Sequence, residues 1–351
     1  MKKPMSAKTK KILINTGITA AFPVAMFLVL EIILACMGTH IIASGMDLKD
    51  IIRNTAVSCF IAYGLSFNLT CGRMDLSLGA QRLAGVIIGG NIALAIGLTG
   101  VGMLFFSVLF GFLFGFVTGM LFVLTRVPAM VLGVGVGLIY ECLAFITSDG
   151  GGLITYGVAG LEILTNEWFS LAMIIIVCAL TLFILGYTRY GYHLRAIQGS
   201  QRIAKSAGVN VFKNAVLSYT FAGGCVGLAG IIKAATSNGM SVAMGFTSNG
   251  SVMANMFPMF LGMYISRWSN QAVGILVSSL TLTLFSLGLS KFQLNDAQQN
   301  VVTMLLFLAL LIYLANENVL RVRKARKARI ALAREKLAAA AAPAAEVKEN
   351  G

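Results

Sequence analysis

VGMLFFSVLFGFLFGFVTGMLFVL, residues 101–124, contains no charged side chain and no proline. Coiled as an α-helix at 1.5 Å per residue it is about 36 Å long, enough to cross the roughly 30 Å hydrocarbon layer of a bilayer. A helix satisfies its backbone N–H and C=O groups internally, which lipid demands. Gly111, Gly115 and Gly119 fall every four residues and line one face, where a neighbouring helix can approach closely. The stretch therefore reads as a membrane-crossing helix built for tight packing.

Working outward, Arg126–Val127–Pro128 breaks the run and a second apolar stretch follows at 129–147, with Gly133, Gly135 and Gly137. Further stretches of this kind lie at 14–38, 54–70, 75–98, 168–187, 215–236, 251–266, 271–290 and 300–319. That makes ten predicted crossings, of which the short 54–70 and 251–266 are candidates to be re-entrant. Composition agrees: 58% of the 351 residues are hydrophobic, 11% are charged and mean hydropathy is +0.85. Soluble domains carry roughly 25% charged residues. A soluble enzyme, a disordered chain and a disulfide-rich secreted domain are excluded, and the fold class is an all-α polytopic bundle.

The net charge of +14 does not point to nucleic acid, because of where the charge sits. Five lysines precede residue 12, five bases lie in 188–214 and nine follow residue 320; with Arg73, Arg126 and Arg267 these make 22 of the 27 Lys and Arg. Ten crossings put all of them on one side, the cytoplasmic one by the positive-inside bias, where they meet anionic lipid. The loop 148–167 has Asp149, Glu162 and Glu167 and no base. Both termini are then cytoplasmic. The expected organisation is a basic N-terminus (1–13), a transmembrane domain (14–319) and a basic, Ala-rich tail (320–351). The six cysteines stand singly, with neither disulfide nor metal spacing.

Nothing in the chain suggests catalysis. There is no GxxxxGK[ST] phosphate loop, no HExxH, and only His40 and His193. Energy for transport must come from an ion gradient or from an ATPase on another chain. The longest inner loop, 188–214, contains a short helix-compatible run, Ser200–Ala207, closed by Gly208 at a position that suits a helix C′ residue. Asp75 and Ser77 stand where an inner loop turns into the third crossing; Asp is a good N-cap there, and Gly72 supplies the bend before it. Glu31, Arg82, Glu141 and Lys233 are ionisable groups inside predicted crossings. Such groups usually face the bundle interior or a water-filled path. Lys233 is near enough to a helix end to snorkel, and Arg82 has Glu141 and Glu31 as possible partners.

Several of these pieces resemble one family. Thr188–Arg189–Tyr190–Gly191–Tyr192, Arg195–Ala196–Ile197, Ala204 and Ala207–Gly208–Val209–Asn210–Val211 are similar to the cytoplasmic coupling loop of ABC-importer permeases for simple sugars and nucleosides. Gly227–Leu228–Ala229–Gly230 matches the small-residue helix that follows. Gly72–Arg73–Met74–Asp75–Leu76–Ser77–Leu78–Gly79 resembles the Gly-Gly-Ile-Asp-Leu-Ser-Val-Gly signature of the ribose and galactose type, with Arg73 and Met74 in place of Gly and Ile. Arg126–Val127–Pro128 is similar to an Arg-Ile-Pro before the fifth crossing. The family's late glycine-rich pattern is reduced here to Gly262–Met263 and Arg267–Trp268.

The resemblance implies a type II importer-like permease subunit in a bacterial cytoplasmic membrane, without a cofactor. It implies a second permease chain (identical or paralogous), an ABC ATPase subunit and an extracytoplasmic solute-binding protein as partners. Arg195, Ser200, Arg202, Ala204, Ala207 and Gly208 would couple to the ATPase, with Ala204 packed in the interface. The expected cargo is a simple sugar, with a nucleoside as the alternative. The rival from another class is an ion-coupled secondary transporter, which would pair an acidic residue with broken helices at the membrane midplane.

Overall fold

A computed structural model describes residues 7–292, 294–295, 297–317, 322, 326 and 330, with side chains from residue 14 onward except Ser251. The helices are α1 (Ala7–Cys36), α2 (Gly45–Leu69), α3 (Leu78–Ala95), α4 (Val101–Thr125), α5 (Ala129–Thr147), α6 (Glu162–Thr165), α7 (Glu167–Tyr187), α8 (Arg189–Gly199), α9 (Gln201–Ser206), α10 (Val211–Thr236), α11 (Gly250–Ala254), α12 (Met256–Ile265) and α13 (Gln271–Lys291), then α14 (Ala297–Glu317). One two-residue strand pair, β1 (Leu153–Ile154) with β2 (Gly239–Met240), is antiparallel. Residues up to Gln299 form one compact unit; α14 belongs almost wholly to a second, Asn300–Gly351. The expected tail 320–351 lies outside the described residues apart from three positions, as do residues 1–6 of the expected N-terminus.

Eight of these helices are long and apolar enough to cross a membrane, and α2 is a ninth by length. The sequence reading begins α2 at residue 54, too late, because Asp47, Lys49, Asp50 and Arg53 hide its first turns. Those charges are held at the helix start. Asp47 accepts from the Ser44 N–H in a capping box and from Lys291 Nζ at 2.8 Å, while Lys49 pairs with Glu167 at 3.1 Å. The expected crossing 251–266, a candidate to be re-entrant, is not one continuous helix. Residues 241–246 are non-helical, a 3₁₀ turn covers Thr247–Asn249, and α11 and α12 follow as short pieces broken at Asn255. The ten residues of α12 rise about 15 Å, half a bilayer.

The bundle has two ends. One carries β1–β2, where Asn91 Nδ2 at the end of α3 donates to the Gly152 carbonyl at 3.0 Å and Thr155 bonds Ala234 at the end of α10. The other carries α8 and α9, with Cys71 Sγ against the Leu194 carbonyl. The core lies mainly along α2, α3 and α10, and α4 packs antiparallel on α10 through Gly111, Gly115 and Gly119 on one side and Gly223 and Gly227 on the other. A Cβ on Gly223 would lie 2.9 Å from the Gly115 Cα. Apolar side chains such as Phe105, Ile139, Ile175 and Leu180 point outward, as a lipid-facing surface requires.

Candidate functional site

Two irregular segments meet in the middle of the bundle. The first, residues 70–77, leads from α2 into α3. Gly72 takes φ +72 there, a left-handed bend that glycine adopts without strain. Asp75 Oδ1 then accepts from the Ser77 N–H at 2.9 Å and from Ser77 Oγ at 2.6 Å, and Oδ2 accepts from Gln81 Nε2 at 3.2 Å. Asp75 thus caps the approach to α3 through an Asx-type turn. Gln81 also donates to Ser77 Oγ, Thr118 Oγ1 lies 3.4 Å from the same amide, and Thr118 Oγ1 is 3.1 Å from the Tyr140 hydroxyl. The Asp75–Ser77–Gln81–Thr118–Tyr140 chain is buried and ties together α3, α4 and α5.

The second segment, residues 241–249, descends from the β1–β2 end. Its anchor is Glu141, 1% exposed, whose Oε2 accepts from the Phe246 N–H at 2.7 Å and Oε1 from the Ser248 N–H at 3.0 Å. Glu141 stands twelve residues into α5, about 18 Å from its start. Phe246 is held at φ +69, a left-handed conformation that is unfavourable for a bulky residue; its ring lies against Gly137, where a Cβ would sit 3.3 Å away. The two segments touch at Gly79, where a Cβ would come within 2.6 Å of the Asn249 Cα. Only glycine fits there. α3 begins beside this contact and packs antiparallel on α4, while α12, reached through α11, packs antiparallel on α13.

The other predicted polar residues are not gathered at this junction. Glu31 sits at the far end of α1, accepting from the Ile41 N–H at 3.0 Å and contacting His40 Nδ1 at 2.6 Å. Lys233 is exposed in the last turn of α10, where its ammonium can reach the interface. Arg82 is half-buried beside Gly230, while the partners of the Glu141 and Glu31 carboxylates are the groups just named. Residues 245–250, GFTSNG, were missed from the sequence. A polar, glycine-flanked stretch beside a predicted crossing was the available signal.

At the other end, α8 and α9 form an arm between α7 and α10. Thr188 Oγ1 accepts from the Gly191 N–H at 3.3 Å and caps α8. Leu194 and Ile197 are buried, and Arg195 lies 4.7 Å over the Tyr192 ring. Burial pushes the Tyr190 phenol above its ordinary range, and its hydroxyl lies 2.9 Å from Ser218 Oγ. Ser200 caps α9, and Gly208 closes it at φ +82. Val209 N–H bonds back to the Ala204 carbonyl at 3.0 Å and Gly208 N–H to Lys205 at 3.1 Å, a Schellman ending. Arg202 and Ala207 are exposed. Ala204 is 3% exposed and packs within its own chain, because α9 turns that face inward. Its neighbour Ile203, 69% exposed, is an apolar residue that α9 presents.

Residues 48–314 match the family described as branched-chain amino acid transport system, permease component. The chain belongs to that family of membrane-spanning permease components. Among curated relatives, the ribose import permease RbsC of Escherichia coli K12 is 22% identical over 76% of this chain and 85% of its own. The RbsC of Bacillus subtilis is 23% identical over 73% and 81%. The galactofuranose transporter permease YtfT of E. coli K12 is 28% identical over 54% and 57%. Among solved structures, an inward-facing ABC transporter of metal-chelate type is 16% identical over 77% of this chain and 86% of its own, with a TM-score of 0.47.

Proposed function

We propose that this chain is the membrane-spanning subunit of an ATP-driven importer that moves a simple sugar into the cytoplasm. The observation that carries the reading is the capped α8–α9 arm at one end of the bundle, with Ile203 exposed on a helix anchored by Ala204, in a chain of this permease family. A short helix held rigidly at a membrane surface transmits the movement of a docked ATPase to α7 and α10, between which it is strung. The basic bias supports a cytoplasmic side for this end. An extracytoplasmic binding protein would then deliver solute to the β1–β2 end, and a second permease chain would complete the pathway. The names of the ribose and galactofuranose relatives support a monosaccharide. A hydroxyl-rich cargo suits an importer whose buried polar groups are mainly Ser, Thr, Asn and Tyr.

One observation favours the rival, an ion-coupled carrier: Glu141 sits beside a broken helix near the midplane. Both its oxygens are already hydrogen-bonded by backbone N–H groups, which suits a structural anchor better than an ion site.

Ile203→Asp tests the arm. The side chain is exposed in this chain, so insertion and folding are expected to be normal. A carboxylate placed in an apolar docking site is expected to lower sugar uptake by about tenfold or more. Uptake at the wild-type rate would leave the arm a mere linker. Ala204→Asp is expected to act differently, because burying a carboxylate beneath α9 loosens the arm itself. Its signature would be faster proteolysis between residues 188 and 210 in the purified chain, which Ile203→Asp should not share.

A further inference from the structure

Residues 71–74 between α2 and α3, Phe122, the turn 126–131 between α4 and α5, and Gln201 line a pocket of about 580 Å³. Two arginines and no carboxylate belong to that lining. Arg73 is 5% exposed. Its Nη1 and Nη2 are both shielded and hydrogen-bond no described residue. Its guanidinium stands 6.0 Å from the Phe122 ring centroid, a contact that favours the cation but offers no acceptor. The carboxylate nearest in sequence, Asp75, is taken up by Ser77 and Gln81. Arg126 is exposed and closes α4 at φ +56, an uncommon conformation for a residue with a side chain.

A buried guanidinium with free N–H groups matches a planar or tetrahedral oxyanion, and a second cation beside it raises the charge that must be balanced. Met130 and Val131 are exposed apolar residues of the lining and exposed Leu124 stands two residues before Arg126, so the anion should carry hydrocarbon. Basic pockets between transmembrane helices suit phosphate headgroups. We propose that Arg73 and Arg126 bind the phosphate of an anionic phospholipid, whose acyl chains lie along Leu124, Met130 and Val131. The site requires only that the chain lie in a membrane, whatever it transports.

The test is retention of lipid by the purified full-length chain in mild detergent, read by native mass spectrometry after adding phosphatidylglycerol or phosphatidylcholine. Wild type is expected to retain phosphatidylglycerol about tenfold better than phosphatidylcholine, and Arg73→Gln and Arg126→Gln each to reduce that retention at least about threefold. Lys233→Gln, exposed in the last turn of α10 at the β1–β2 end, should change nothing. Arg126→Gln, at an exposed position, keeps the test valid if Arg73→Gln fails to fold. Equal retention by Arg126→Gln and wild type, or no preference between the two lipids, would overturn the proposal. Inorganic phosphate raising thermal stability through Arg126 without any lipid preference would also overturn it, in favour of a small-anion site.

Discussion

Replacing Glu141 with leucine is expected to cost the purified permease about 3–5 kcal/mol of stability and to free residues 241–249 from the bundle. Two hydrogen bonds to a charged acceptor contribute about 1.5–3 kcal/mol each, and both donors, Phe246 and Ser248 N–H, would be left without an acceptor in an apolar interior. The strain at Phe246 adds to the effect, since φ +69 persists only while its surroundings impose it. Glu141→Gln is expected to be milder, about 1–2 kcal/mol, because its carbonyl still accepts from one N–H while its amide faces the other. Phe246→Gly on the Glu141→Leu background should recover part of the loss by removing the left-handed penalty. Thermal unfolding of the four proteins measures this. A Glu141→Leu protein as stable as wild type would mean that the carboxylate anchors nothing.

Gly223→Val is expected to lose about 3 kcal/mol or more. The added Cβ would stand 2.9 Å from the Gly115 Cα and 3.0 Å from its nitrogen. Those are backbone atoms of a helix held along its length, so the relief available is for α4 and α10 to move apart. Between helices in lipid, close packing is itself a main attraction, and the loss extends to every contact along the seam. Gly135→Val is the control: nothing lies within 4 Å of its Cβ position, and a change within about 0.5 kcal/mol is expected. Equal destabilisation at both positions would show that helix propensity, not proximity, governs these glycines.

What was legible from the sequence was what lipid imposes. The uncharged runs of α4, α5 and α7 announce themselves, and the glycines at 111, 115 and 119 mark the face that meets α10. Local capping chemistry was legible too: Ser200 and Gly208 bound α9 as their residue types suggest. Long-range pairing was not. Glu141 and Phe246 are 105 residues apart, and no periodicity links a carboxylate to a backbone N–H that distant. α2 was shortened because its polar first turns are neutralised by Glu167 and Lys291, partners invisible along the chain. The inward turn of Ala204 follows from how α9 rests on the bundle, which composition does not encode. The broken segment 241–265 had clues in Asn255 and Pro258, but its apolar average reads as a crossing.

The central claim, that this chain is the passage through which an ATPase drives uptake, is tested most directly by energised uptake in proteoliposomes. The complex purified through this chain would be reconstituted, and uptake of monosaccharides measured with MgATP supplied at the α8–α9 end, against an imposed proton or sodium gradient without nucleotide. Uptake that requires ATP, is unaffected by ionophores and is lost in Ile203→Asp is the expected result. Uptake driven by the gradient alone, with nucleotide absent, would contradict it.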